Sequence, residues 1–271
     1  MPELPEVETV RNTLKKEVLN RTIKDVEIYY ENIIAYPNIS EFKKQIKGQK
    51  INDILRRGKF LMFSLDNFYL LSHLRMEGRF YFKDGEKLKH EHVRFILDDK
   101  NLCYIDTRKF GRMYLLPKDD AYNMKPLNEL GLEPWDDNLT VDYLKDKYKN
   151  KKLPIKTVLL DQSIIVGIGN IYDDEILFMS NINPYTKASN LSDSDLSNII
   201  SNTKIVLERA IKLGGTTIKT YESSEGVHGR FQNELLVHGK ETCPKCNSKL
   251  EYDHINGRGT YYCPKCQKKD L

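Results

Sequence analysis

The hydrophobic pattern changes period twice along the chain. From about Pro5 to Val18 it is helical, with Val7, Val10, Leu14 and Val18 recurring on one face. Pro5 suits a first helical turn, and Glu6 and Glu8 suit the positive end of the helix dipole. From about Thr22 to Leu116 the period shifts towards two. Runs at 22–30, 50–55, 59–65, 68–74, 79–83, 93–98, 101–106 and 111–116, parted by Gly, Asn and Asp, predict eight strands. Strands of this length and spacing build an antiparallel sandwich or barrel. After Pro117 a loop (117–138) leads into helical patterns near 140–149, 155–164 and 170–181. A longer helix is predicted at about 192–213, capped by Ser192, faced by Leu196, Ile199, Ile200, Leu207 and Ile211, and stopped by Gly214-Gly215. Residues 216–232 read as a polar loop, and the last forty or so carry paired cysteines.

Length and charge narrow this picture a little. The 271 residues suit two domains, or one large domain with an appendage. Lys and Arg number 43 against 39 Asp and Glu, a net +4 that is compatible with an anionic partner. With 39% hydrophobic and 30% charged residues, the composition is that of a globular chain and not a disordered one. No run of eighteen apolar residues exists to span a membrane, and MPELPEVETV lacks the features of a signal peptide. The expected location is therefore the cytoplasm, where thiols stay reduced and five cysteines need a role other than disulfides.

Four of them have one. Cys243, Cys246, Cys263 and Cys266 form two C-P-K-C knuckles sixteen residues apart, the spacing of a structural zinc ribbon. Four thiolates leave no open position on the ion, so one Zn2+ would hold structure and perform no chemistry. Between the knuckles, Asn256-Gly257-Arg258-Gly259 predicts a hairpin presenting Arg258 at its tip. Cys103 lies in a strand pattern and is read as core.

The N-terminus holds a second candidate chemistry. Residue 2 is proline, which permits removal of Met1 and would leave a secondary amine. A terminal amine titrates near pH 8, so a useful fraction is neutral and nucleophilic at pH 7. Glu3 beside it could carry protons.

PELPEVETV at one end and the four-cysteine ribbon at the other, with VGIGNIYDDEILF between them, resemble the formamidopyrimidine-DNA glycosylase family of bacterial base-excision enzymes. The resemblance spans the whole chain. It implies a multi-domain α+β protein: an N-terminal helix plus an eight-stranded antiparallel β-sandwich as catalytic domain (1–117), a linker (118–138), a helix-two-turns-helix DNA-binding domain with a lesion-capping loop (139–232), and a four-cysteine zinc finger with a β-hairpin (233–271). It also implies the activity of a bifunctional glycosylase/AP lyase acting on damaged double-stranded DNA as a monomer in the bacterial cytoplasm. Such an enzyme excises oxidised purines through a Schiff base on its N-terminal proline and then carries out β,δ-elimination.

The resemblance carries roles onto particular residues. Pro2 becomes the nucleophile and Glu3 its acid/base, with Glu6 on the same helix start. Lys59, in RRGKF, contacts the target phosphate and assists elimination, as does Arg258. HLRMEGRF supplies His73 and Met76, and DTRKFG supplies Arg108 and Phe110. Met76, Arg108 and Phe110 would fill the gap left by an extruded base, with Arg108 reading the opposite cytosine. The family usually has Asp-Pro-Arg here, whereas this chain has Thr107. His90 touches DNA, and His92, two residues on along a strand, would share its face. The lysine-rich stretch 145–156 precedes the helical element, and Lys152 and Lys156 match phosphate-contacting lysines. Asn170 is expected both to cap the helix after G-I-G and to contact DNA. Tyr221, Glu222 and Ser223 lie in the segment corresponding to the capping loop. Two alternatives stand beside this reading: a paralogue excising oxidised pyrimidines, which typically begins Pro-Glu-Gly-Pro-Glu where this chain has Leu4, and a DNA-binding protein that has lost catalysis.

Overall fold

A computed structural model describes residues 1–216 and 229–268, so Tyr221, Glu222 and Ser223 lie outside the described residues. The chain divides into two compact units: among the described residues, the first holds Met1–Asn128 and Gly229, and the second runs over Glu129–Thr216 and from Arg230 onward.

The first unit opens with α1 (Leu4–Val18), whose start is fixed by a reciprocal capping box. The Glu3 carboxylate accepts the Glu6 N–H, and the Glu6 carboxylate accepts the Glu3 N–H at 2.9 Å. Val7, Val10, Leu14 and Val18 are buried as the periodicity predicts. There follow β1 (Asp25–Ile28), β2 (Ile34–Tyr36), α2 (Ile39–Ile46), β3 (Asp53–Arg57), β4 (Phe60–Ser64), β5 (Phe68–His73), β6 (Arg79–Phe82), β7 (Glu91–Ile96), β8 (Asn101–Ile105) and β9 (Arg112–Pro117). They form two sheets, β1-β7-β8-β6 and β2-β9-β5-β4-β3, around a core drawn from both and from α1. All eight predicted strands are present. A ninth, β2, pairs in parallel with β9, and α2 follows it, capped by the Asn38 side chain and anchored by Phe42 and Ile46. β4 is buried at every position because its sheet is covered on both faces, and α1 packs on β3 and β4.

The second unit contains α3 (Val141–Tyr148), α4 (Ile155–Leu159), α5 (Asn170–Met179), α6 (Asp193–Lys212) and the hairpin β10 (Glu251–Ile255) with β11 (Arg258–Tyr262). Ser192 caps α6 through a box with Asp195, and Leu196, Ile199 and Leu207 are buried. α4 is shorter than the predicted 155–164. It stops at Leu160 because the next residues are held in a turn by the Gln162 side chain, described below.

Candidate functional site

In the first unit, Pro2 and Glu3 are buried beneath an exposed Met1 at the start of α1. That helix packs on the β3–β4 hairpin, whose turn carries Gly58 and Lys59. Gly58 has φ +55, a conformation that glycine adopts freely. The hairpin is tied to α1 by Arg56, which donates to Glu8 at 3.0 Å and to the Gly58 carbonyl at 3.1 Å. Lys59 is itself only 6% exposed. Cross-strand pairing sets Phe60 opposite His73, with the two rings edge-on at 4.7 Å. Lys59 and His73 are thereby neighbours. Burial first, then the charges of Arg75 and Lys59, pull the His73 imidazole down to about 3, so it is neutral at physiological pH. Its Nδ1 accepts the Arg75 N–H at 3.0 Å, which leaves the proton on Nε2 as a neutral donor.

Two loops of this unit carry Met76 and the Arg108/Phe110 pair. Met76 and Phe110 are exposed apolar side chains, at 37% and 47%, and the Arg108 guanidinium lies 4.7 Å from the Phe110 ring centroid. The organiser of the second loop is Asp106, fully buried, which the sequence did not single out. Its carboxylate accepts N–H bonds from Arg108 at 3.0 Å and from Phe110 and Gly111 at 2.8 Å. The two loops close around Tyr104: a Cβ at Gly78 would lie 2.2 Å from its hydroxyl, and one at Gly111 1.8 Å. Neither position tolerates a side chain without displacing the ring.

His90 is exposed, with φ +63, and the β7–β8 register shifts between Glu91 and Val93. The irregularity overturns the expectation that His90 and His92 share a face. His92 is buried, with Nε2 2.7 Å from the Asp106 carbonyl oxygen.

In the second unit, α4 and α5 flank a turn pinned by one amide. Gln162 donates to the carbonyls of Leu160 and Ile168 at 3.0 and 2.9 Å and accepts the Gly167 N–H at 2.8 Å. No sequence signal marks this glutamine. Gly167 has φ +93, and extended Gly169 is the N-cap of α5. Asn170 is thus the first helical residue and does not cap the helix. Its Nδ2 instead donates to the Gly259 carbonyl at 2.8 Å, tying α5 to the hairpin.

Lys152 is exposed, as a phosphate contact requires. Lys156 departs from expectation. It is fully buried, with Nζ 2.6 Å from Asp174, 3.5 Å from Asp173 and 3.2 Å from the Asn170 carbonyl oxygen. A buried ammonium must be paired, and these carboxylates pair it within the protein core, so it is no phosphate contact. The sequence shows a lysine-rich run but not which lysine turns inward.

The hairpin turns at Asn256 (φ +48) and Gly257 (φ +77), a type I′ geometry with Arg258 exposed immediately after it. Asn256 Nδ2 donates to Thr157 Oγ1 at 2.8 Å, and Asp174 accepts the Tyr261 N–H at 3.2 Å. The ligand atoms of the four cysteines all lie within 4.8 Å of one another, with Cys243–Cys266 at 3.8 Å and Cys246–Cys263 at 3.5 Å. A tetrahedral ion with 2.3 Å metal–sulfur bonds requires sulfurs about 3.8 Å apart, so the cluster fits one. Gln267 braces it, accepting the Cys263 N–H and donating to the Ile182 carbonyl, both at 2.8 Å.

Residues 1–113 match the formamidopyrimidine-DNA glycosylase N-terminal domain and residues 130–222 the H2TH domain of the same family. The Bacillus cereus formamidopyrimidine-DNA glycosylase is 47% identical, covering 99% of this chain and 100% of its own, and that of Oceanobacillus iheyensis is 44% identical, covering 98% of each. Among solved structures, Lactococcus lactis Fpg bound to DNA with an abasic site is 38% identical at a TM-score of 0.91, covering 98% of this chain and all of its own. A variant of that enzyme with Fapy-dG DNA is 37% identical at a TM-score of 0.92, covering 99% and 100%. The chain belongs to the formamidopyrimidine-DNA glycosylase family and is a DNA glycosylase of base excision repair.

Proposed function

We propose that this glycosylase excises oxidised purines, 8-oxoguanine and formamidopyrimidines, from duplex DNA and cleaves the strand as an AP lyase, acting as a monomer in the cytoplasm. With Met1 removed, the Pro2 nitrogen attacks C1′ as the C1′–base bond breaks, and the nitrogen loses its proton. The nitrogen lone pair then opens the C1′–O4′ bond to give the iminium Schiff base, with Glu3 supplying the proton that O4′ takes up. Lys59 and Arg258 hold phosphates and assist the β- and δ-eliminations. His73, His90, Lys152 and Asn170 bind the backbone, and Met76, Arg108 and Phe110 fill the gap in the stack. Zn2+ is the ion proposed for the cysteine cluster, since four thiolates in tetrahedral reach suit it. The division into residues 1–117, 118–138, 139–232 and 233–271 belongs to the same reading.

The observation that carries it is the exposed Met76/Arg108/Phe110 set on a unit whose helix start buries Pro2 and Glu3. The variant Lactococcus enzyme bound to Fapy-dG DNA supports a purine lesion. A second reading, oxidised pyrimidines, is favoured by the wild-type Lactococcus enzyme bound to DNA containing one. Borohydride trapping tests both: zinc-loaded protein lacking Met1 is incubated with duplexes carrying 8-oxoguanine or thymine glycol opposite their normal partners. An adduct mapped to Pro2 on the first duplex supports the purine reading. An adduct only on the second transfers the activity to pyrimidines, and an adduct on another residue overturns the nucleophile.

A further inference from the structure

The Met76 turn and the Arg108/Phe110 loop are joined by a side-chain hydrogen bond. Thr107 Oγ1 donates to the Glu77 carboxylate. Glu77 directly follows Met76, and Thr107 directly precedes Arg108. The bond therefore spans from the Met76 turn to the Arg108/Phe110 loop, thirty residues apart in sequence. Behind it the loops share the Tyr104 ring, seated between Gly78 and Gly111. Both residues also line one groove of about 450 Å³ with Arg79, Tyr81 and His90.

A proline at position 107 would stiffen the backbone and offer no donor. Threonine restores φ freedom, and the Arg108 loop already contains a left-handed residue, Lys109 at φ +58. The Asp106 carboxylate fixes the loop's amides, but those three bonds lie within the loop and do not set its distance from Met76. Thr107–Glu77 does.

We propose that Thr107 is a positioning residue: its hydroxyl, through Glu77, fixes the separation of Arg108 from Met76 and so sets how strictly the base opposite the lesion is read. This rests on the reading of Arg108 as the group that meets that base.

The test measures excision of 8-oxoguanine opposite cytosine and opposite adenine for the wild type and for Thr107→Val, Thr107→Ser, Glu77→Gln and Arg108→Ala, with thermal unfolding of each. Thr107→Val should lower the cytosine-to-adenine rate ratio by about two- to tenfold, the worth of one hydrogen bond. Thr107→Ser should restore the ratio, and Thr107→Val combined with Glu77→Gln should cost no more than either alone. A general loss of fold would lower both rates together and leave the ratio unmoved. A ratio unchanged in Thr107→Val but lost in Arg108→Ala overturns the positioning role alone. No preference in the wild type, or one that survives Arg108→Ala, overturns the reading of Arg108 and this role with it.

Discussion

The Lys156 ammonium lies 2.6 Å from the Asp174 carboxylate, with both side chains wholly inside the protein. Asp174 also meets His238 Nδ1 at 2.7 Å and accepts the Tyr261 N–H, so one carboxylate joins α4, α5, the segment before the cysteines and β11. The neighbouring Glu175 accepts the N–H groups of Leu236, Val237 and His238 at 2.7 to 3.0 Å. The run Asp173-Asp174-Glu175 therefore works as an internal scaffold for the cysteine hairpin.

Removing Lys156 leaves Asp173 and Asp174 buried without their cation. Lys156→Ala is expected to cost about 3–5 kcal/mol of stability, read as a fall in denaturant midpoint. Because the side chain points inward, the salt dependence of DNA binding should keep its slope. Lys152→Ala should do the reverse, reducing the slope by about one with little change in stability. A reduced slope in a stable Lys156 variant would return that lysine to the phosphate surface.

Asp106 offers a test of the wedge itself. Asp106→Asn keeps the volume but replaces one acceptor oxygen by a donor, opposing at least one of the three loop N–H groups. A cost of about 1–3 kcal/mol follows from a buried, mispaired polar group. An undamaged duplex should still be bound through phosphates, while binding to an abasic-site duplex should weaken at least threefold. Equal weakening on both would show that the loop does not act at the lesion.

How far the sequence reveals this protein varies with the scale of the signal. The eight strands and α1 rest on repeated hydrophobic spacing, and the cysteine knuckles on ligand geometry, so both are legible. β2 is three residues long, too short for periodicity to register, whereas α2 does carry an Asn38 cap and an apolar face of Phe42 and Ile46, signals masked by the strand patterns on either side of it. α4 ends early because a single amide, Gln162, outcompetes the helix, a tertiary effect with no local signature. The same limit hides Asp106 and the inward turn of Lys156: a charged residue in a polar stretch reads as surface until the fold surrounds it. Where His90 and His92 diverge, a register shift has broken the period-two rule on which their pairing was based.

His73 supplies a pH dependence. Its imidazole falls to about 3 in the folded protein, below the unfolded value near 6.5. The unfolded chain therefore binds the extra proton first, and stability declines as pH falls through the interval between those values. Above pH 7 this contribution is fully present. His73→Gln should flatten the dependence of unfolding temperature between pH 7 and pH 4.5 relative to wild type. A parallel shift at all pH values would mean that His73 does not titrate in that window. The neutral ring also predicts that His73→Gln leaves the slope of binding against salt unchanged, since no charge is lost.

Metal removal separates the two units. The cysteine hairpin is held on one side by the ion the four thiolates are built to take and on the other by Asn256–Thr157, Asn170–Gly259 and the Asp174–Tyr261 bond. Without the ion, four clustered thiols lose their common partner, and the few hydrogen bonds remaining, each worth about 1 kcal/mol, are too weak to order the knuckles alone. Chelation should therefore abolish DNA binding by unfolding the hairpin that carries Arg258. The sandwich, with its own core from α1 and both sheets, should stay folded. Tryptophan is a poor reporter of this, since Trp135 lies outside the hairpin. Amide exchange reads it directly: protection should vanish over residues 243–267 and persist in β4 and β5. Loss of protection in both units would mean that the sandwich depends on the metal. Full protection and undiminished binding in metal-free protein would show that the cysteine cluster is not what holds the hairpin.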